Sequence, residues 1–320
     1  MSPVRIIFLG TPAFAAASLS RLLDAHHQIA GVVTQPDRRR GRGQHVTQEA
    51  VKTLAVSRGL TVLQPERWKD PALAASLRGL KADLAVVAAY GRILPQWLLE
   101  LPRLGVINVH ASLLPRWRGA APVHRAVIAG DARTGVTIMR VVLALDAGPM
   151  LAQAPTDISP DETSEELERR LAAIGADLLV STVARMTSGP IREEPQNEAA
   201  ATYAARLERH ESQIDWRRPA TEIHNQIRGL QPWPLAAGLL GGRRLLLLKS
   251  DADPHAASHA PPATIVSTTD DAISVAAGAG VVRIRELQPE GRARMTVAAF
   301  LNGTRVATGS RFDPLPGPTP

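Results

Sequence analysis

Five short runs of residues, at positions 4–9, 29–34, 84–89, 106–109 and 136–142, are apolar with few polar interruptions, and helix-type stretches at 13–24, 47–58, 71–80 and 122–129 separate them. A strand that is apolar on both faces must be covered on both. The connections that provide such cover are helices crossing from one parallel strand to the next. The first half of the chain therefore predicts an α/β fold with a doubly wound, mostly parallel, Rossmann-like sheet. Residues 163–186 continue with Leu167, Leu171, Ile174, Leu178 and Leu179 at helical spacing, and Thr163 and Glu166 stand in capping-box register. They predict a long closing helix.

The texture then changes. Residues 190–203 are polar and proline-containing. Beyond them, residues 243–249, 263–268, 272–276 and 281–287 are short β-type runs split by Gly, Pro and the Asp270-Asp271 pair, without helix-type stretches between them. That pattern predicts a smaller β-barrel, of the oligonucleotide-binding (OB) type. At about 150 residues per domain, 320 residues accommodate two. The expected division is a first domain over 1–189, a linker over 190–203 and the barrel over 204–314, with the proline-rich end after Arg311 frayed.

Several classes are excluded early. A hydrophobic share of 45% with 21% charged residues is that of a globular chain rather than a disordered one. The absence of cysteine removes disulfides, thiolate nucleophiles and iron–sulfur clusters. No apolar run approaches the roughly 18 residues of a membrane span, and the N-terminal apolar run is too short for a signal peptide. A cytoplasmic protein without a membrane is expected. Net charge is +7 and points to a polyanionic partner. It is unevenly distributed: residues 1–150 carry 19 Lys/Arg against 9 Asp/Glu, residues 151–200 carry 4 against 10, and residues 201–320 carry 14 against 11.

A doubly wound sheet binds ligands beyond the carboxyl ends of its strands, which directs attention to three segments. In Gly10-Thr11-Pro12, Thr11 suits a helix N-cap, but the further glycines of a dinucleotide fingerprint are missing, which disfavours a nicotinamide cofactor. Asn108 and His110 are two apart at a strand end and project from one face. Such a pair fits either polar residues satisfied by nearby backbone or an oxyanion donor beside a proton carrier. Asp146 follows another apolar run, where it is either a plain turn residue or the partner that holds His110. No Ser or Cys nucleophile with a base is present, and no metal-ligand spacing.

Asn108-x-His110 followed by Ser112-Leu113-Leu114-Pro115, with Asp146 downstream, resembles the 10-formyltetrahydrofolate-dependent formyltransferase superfamily. Gly10-Thr11-Pro12-x-Phe14-Ala15, Thr34-Gln35-Pro36-Asp37-Arg38, Gly41-Arg42-Gly43, Ala89-Tyr90-Gly91 and Arg116-Trp117-Arg118-Gly119-Ala120-Ala121-Pro122 narrow the likeness to the methionyl-tRNA formyltransferase family. Ile214-Asp215-Trp216, Ile227-Arg228 and Pro232-Trp233-Pro234 also fit it. The chain departs from the family pattern at Ala13, at Gln44-His45, and at Ala147 and Pro149, which stand where the family carries Asp-Thr-Gly-Asp-Met.

The resemblance implies formyl transfer from 10-formyltetrahydrofolate, a substrate rather than a resident cofactor, to the α-amine of initiator methionyl-tRNA. It requires no metal. It implies Asn108 and His110 as donors to the oxyanion, Asp146 as the residue orienting His110, and Ser112, Leu113, Leu114 and Pro115 in the folate pocket. Arg38, Arg40 and Arg42 are implied in contact with the tRNA acceptor end, and the barrel as the tRNA anchor of a monomer. The alternatives are formyl transfer to an amino-sugar nucleotide, or a non-catalytic tRNA-binding protein.

Overall fold

The apolar run at the N-terminus becomes β1 (Arg5–Gly10), in which Ile6, Ile7, Phe8 and Leu9 are fully buried. Both of its faces are covered, as its composition demands. The computed structural model describes residues 3–40, 45–47 and 49–315. From β1 the chain runs through α1 (Ala13–Asp24), β2 (Gln28–Val33), the hairpin β3 (Arg38–Arg40) and β4 (His45–Thr47), and α2 (Ala50–Ser57). There follow β5 (Val62–Leu63), α3 (Pro71–Gly79), β6 (Leu84–Ala88), α4 (Gln96–Leu99), β7 (Val106–His110), β8 (Arg118–Gly119) and α5 (Pro122–Ala129). β9 (Arg133–Arg140), β10 (Met150–Asp157), α6 (Ser164–Ser188) and β11 (Tyr203–Ala204) complete this part.

The chain divides into two compact units: residues 1–122, 133–157 and 168–204, and residues 123–132, 158–167 and 205–320. The first holds a seven-stranded sheet in the order β10-β9-β7-β6-β1-β2-β5. The five strands from β7 to β5 are parallel; β9 runs antiparallel to β7, and β10 antiparallel to β9. β10 was not anticipated from sequence. Buried at its start and alternating beyond, it packs mainly one face, so it lacks the continuous apolar signature of its neighbours.

Local signals along residues 1–189 were partly borne out. The backbone N–H of Thr163 donates to Glu166 Oε2 (2.9 Å), and that of Glu166 donates to Thr163 Oγ1 (3.3 Å), closing the expected capping box of α6. α6 is the one helix among the described residues long and apolar enough to cross a membrane. Its Leu167, Leu171, Leu179 and Val183 are fully buried inside the protein. Gly175 lets it approach the sheet: a Cβ there would lie 3.0 Å from Val109 and 3.2 Å from Val136. Thr11 does not cap α1. The N-cap residue is Pro12, and Thr11 Oγ1 instead accepts from the N–H of Gln35 (3.3 Å), tying the ends of β1 and β2 together.

Residues 190–203, expected as a linker, lie in the first unit. Glu194 bridges Met150, and β11 pairs in parallel with β8. Glu193, Gln196, Asn197, Glu198 and Thr202, polar side chains that made this stretch look solvated, are engaged in hydrogen bonds.

In the second unit, α7 (Ala220–Gly229) precedes β12 (Ala236–Leu240), β13 (Arg243–Asp253), β14 (Ile265–Thr268), β15 (Ile273–Ala276), β16 (Val281–Pro289), β17 (Met295–Thr296), α8 (Val297–Gly303) and β18 (Phe312–Asp313). The antiparallel order is β14-β15-β16-β13-β12-β18, with β17 on β16. Thr264 bridges Arg311, and the Ile265 N–H donates to Ser310 O (2.8 Å), so the sheet curls back on itself as an OB-like half-barrel. Two features differ from expectation. The helix α7, with Ala220, Ile223 and Ile227 fully buried, packs on β13, and the chain end is anchored rather than frayed up to Asp313. Phe312 is the anchor, stacked on Trp216 with ring centroids 5.1 Å apart.

Candidate active site

The parallel strands end on one edge of the first sheet, and β7 ends there in Asn108 and His110. The two-residue period of a strand puts both side chains on one face. Asn108 lies between Val87 of β6 and Met139 of β9; its half-buried amide has no hydrogen-bond partner among the described residues. His110 is buried, and its Nε2 donates to the carbonyl of Trp117 (2.9 Å). A carbonyl only accepts, so Nε2 carries the proton and Nδ1 is the nitrogen facing the remaining groups. Nδ1 lies 3.7 Å from Asp146 Oδ2.

The loop after β7 is shaped around this ring. The Thr137 hydroxyl donates to Ser112 O (2.7 Å) and accepts from the N–H of Leu114 (3.1 Å), while Ser112 Oγ donates to Arg116 O (2.6 Å). Gln153 Nε2 donates to Leu114 O (2.9 Å), and the Trp117 N–H to Thr202 Oγ1 (2.9 Å). Ser112 and Leu114 are therefore buried and committed to the turn, whereas Leu113 and Pro115 are half-exposed.

Asp146 arrives from the other direction. β9 runs antiparallel to β7, with Arg140 opposite Ile107 and the Val141 N–H bonded to Val106 O, so the chain leaves β9 beside the beginning of β7. The loop to β10 folds back and brings the Asp146 carboxylate to His110. In it, a Cβ on Gly148 would sit 2.0 Å from Arg140 O, so only glycine fits. Pro149 has no N–H, but its carbonyl accepts from the N–H of Arg140 (2.9 Å), and the ladder survives the substitution. Asp146 Oδ2 also accepts from the N–H of Gly119 (2.9 Å). Three non-glycine residues in the turns around the site have positive φ: Ala89 (42°), Trp117 (64°) and Asp146 (47°). Each such conformation costs on the order of 1–3 kcal/mol and persists only where its surroundings over-determine it.

After β6, Gln35 Nε2 donates to Tyr90 O (2.7 Å), and the buried Tyr90 phenol is pushed up to about 12 by desolvation. Large apolar side chains stand exposed on two loops, Ile93 at 84% after β6, and Leu143 and Leu145 at 64% and 62% beside Asp146.

β2 leaves the sheet at the same carboxyl edge as β7 and continues into the β3–β4 hairpin, which carries Arg38 and Arg40; Arg42 lies outside the described residues. The hairpin's base is fixed by Asp37, which pairs with Lys52 and accepts from Gln64 Nε2 (3.0 Å). Those two hydrogen bonds hold its carboxyl below the usual carboxylate range.

Sequence reasoning missed Thr137, Gln153, Arg118 and Gln196, all of which brace the site. Arg118 stands in a family motif without a role assigned to it; the other three stand in no pattern that separates a bracing polar residue from a solvated one.

Residues 4–183 match the family model described as formyl transferase, and residues 206–305 match that of the formyl transferase C-terminal domain. The methionyl-tRNA formyltransferase of Symbiobacterium thermophilum is 46% identical over 316 residues, covering 98% of this chain and 97% of that protein. That of Burkholderia thailandensis is 46% identical over 320 residues, covering 97% of each. The fold is shared with the N-formyltransferase of Helicobacter canadensis, solved with folinic acid and dTDP-3-aminofucose (TM-score 0.68, 17% identity, 89% of this chain and 100% of that one). The chain belongs to the methionyl-tRNA formyltransferase family.

Proposed function

We infer that the protein transfers the formyl group of 10-formyltetrahydrofolate to the α-amine of initiator methionyl-tRNA, giving N-formylmethionyl-tRNA, and that it acts as a monomer in the cytoplasm. The observation that carries the reading is the unpartnered Asn108 amide beside His110 and Asp146, in a chain so similar throughout its length to proteins of that name.

The substrate supplies the nucleophile, so no side-chain nucleophile is needed. The amine attacks the formyl carbon, a C–N bond forms, and the carbonyl oxygen becomes an oxyanion. The Asn108 amide N–H and a protonated His110 Nδ1 are the donors to that oxygen, a role in which one donor is typically worth about 10²–10³ in rate. The Asp146 carboxylate lies 3.7 Å from that nitrogen and orients the ring. The tetrahedral centre collapses as the bond to N10 breaks, the amine's proton passes to N10, and tetrahydrofolate departs. Leu113 and Pro115, with Ile93, Leu143 and Leu145, supply apolar surface for the folate, while Ser112 and Leu114 hold the turn that presents it.

Residues 1–189 carry the chemistry and 204–314 the tRNA anchor, with 190–203 between them. Arg38, Arg40 and Arg42 contact the acceptor end, and the barrel contacts the tRNA backbone. The test is to incubate purified protein with 10-formyltetrahydrofolate and charged tRNA. Formylation of initiator methionyl-tRNA, with elongator methionyl-tRNA largely untouched, is expected; transfer instead to an amino-sugar nucleotide, or to neither, overturns the reading.

A further inference from the structure

We propose that Gln196 is a positioning residue of the transfer reaction, holding the Asp146 turn in register with His110. The inference rests on the reading of Asp146 given above. Gln196 is 9% exposed and uses both ends of its amide. Its Nε2 donates to Asp146 O (2.8 Å) and to Gly148 O (2.7 Å), the carbonyls on either side of Ala147. Its Oε1 accepts from Arg118 Nε (2.9 Å).

Arg118 in turn is fixed. It is 1% exposed, makes two bonds to Glu198 (2.7 and 2.9 Å), and precedes Gly119, whose N–H donates to Asp146 Oδ2. One side chain thus connects the backbone of the Asp146 turn to the residue next to the donor that fixes the Asp146 carboxylate. The turn needs such a clamp. Asp146 has φ 47°, a conformation that a non-glycine residue leaves unless held, and its carboxylate is 3.7 Å from His110 Nδ1. A shift of about 1 Å in such a group costs on the order of 10²-fold in rate.

Two substitutions separate the roles of the amide. Gln196→Met keeps the length and removes all three hydrogen bonds. Gln196→Glu keeps the acceptor for Arg118 and sets a carboxylate oxygen against the two carbonyls. Both are expected to lower kcat by about 10–100-fold, with KM for 10-formyltetrahydrofolate and for methionyl-tRNA changed less than about threefold. The decisive readout is a double-mutant cycle with Asp146→Asn in the full-length protein. If Gln196 acts through Asp146, adding Gln196→Met to Asp146→Asn lowers kcat by less than about twofold further. Near-normal turnover in Asp146→Asn overturns the role of Asp146, and this proposal with it. An impaired Asp146→Asn together with normal kcat in either folded Gln196 variant overturns the positioning role alone. So does a full multiplicative loss in the double variant, or a loss confined to KM. Thermal unfolding of each variant identifies one that fails to fold, and the other then carries the test; failure of both to fold overturns the proposal in favour of a purely structural role.

Discussion

The β16 stretch of the barrel and the carboxyl end of β7 treat their polar groups in opposite ways. In the barrel, Arg283 is paired with Asp253, and Arg285 with both Asp251 and Asp271, so the charge on that stretch of β16 is already answered within the fold. At the carboxyl end of β7, the Asn108 amide is left open, and His110 Nδ1 stops 3.7 Å from Asp146, beyond a hydrogen bond. Closed pairs hold a structure; open valences in a braced pocket await a ligand. Around the open groups the bracing is dense: Thr137, Gln153, Thr202 and Gln196 each commit hydrogen bonds to the backbone of the two loops that frame them.

The largest expected effect breaks the open set. His110→Ala and Asp146→Ala should each lower turnover by at least about 10²-fold, and Asn108→Ala by about 10²–10³-fold, while folate binding, measured by fluorescence titration, persists. A variant with near-normal turnover would remove its residue from the mechanism.

Next comes the tRNA contact, which the comparison divides among arginines. Arg243 and Arg292 have no ion pair among the described residues, whereas Arg283 and Arg285 do. If free charge is what meets phosphate, Arg243→Gln and Arg292→Gln should each reduce the slope of log affinity against log salt by a little under 1. Arg283→Gln should leave that slope unchanged and lower the melting temperature instead. An unchanged slope in both Arg243 and Arg292 variants would place the phosphate contacts elsewhere. If Arg42 contacts the acceptor end as proposed, Arg42→Ala should cost turnover more than affinity, since a residue there positions the amine for attack.

The smallest effect concerns pH, and each unit has its own probe. Burial pushes His27 in the first unit and His124 in the second below the ordinary histidine value of 6.5. A depressed pKa means that the unfolded chain takes up the proton more readily. Each ring's contribution to stability is therefore complete above 6.5, declines as the pH falls below it, and is lost once the pH passes the depressed value. Thermal unfolding between pH 7.5 and 5.5 should show this decline, and His27→Asn and His124→Asn should each flatten it. A profile as steep in both variants as in the parent would assign the decline to other groups.

What the amino-acid order determined by itself follows from short-range rules. Runs apolar on both faces had to become covered parallel strands, Thr163 and Glu166 had to close a helix start, and the two-residue period of β7 had to set Asn108 beside His110. Short β-type runs between turn residues had to become an antiparallel sheet. The motifs also carried the family, because they record the chemistry directly. Tertiary structure decided the rest. β10 packs mainly one face and so resembles surface sequence, and Thr11 gave up a local cap for a bond across to β2. Asp146 reaches His110 from the far end of an antiparallel strand. Gln196 comes from a stretch whose polar composition promised only a linker, and its three partners lie 48 to 78 residues away in the chain. Strand period and helix capping act over a few residues and are written in the order of side chains. A hydrogen bond across such separations depends on where the packed sheet has already carried both ends.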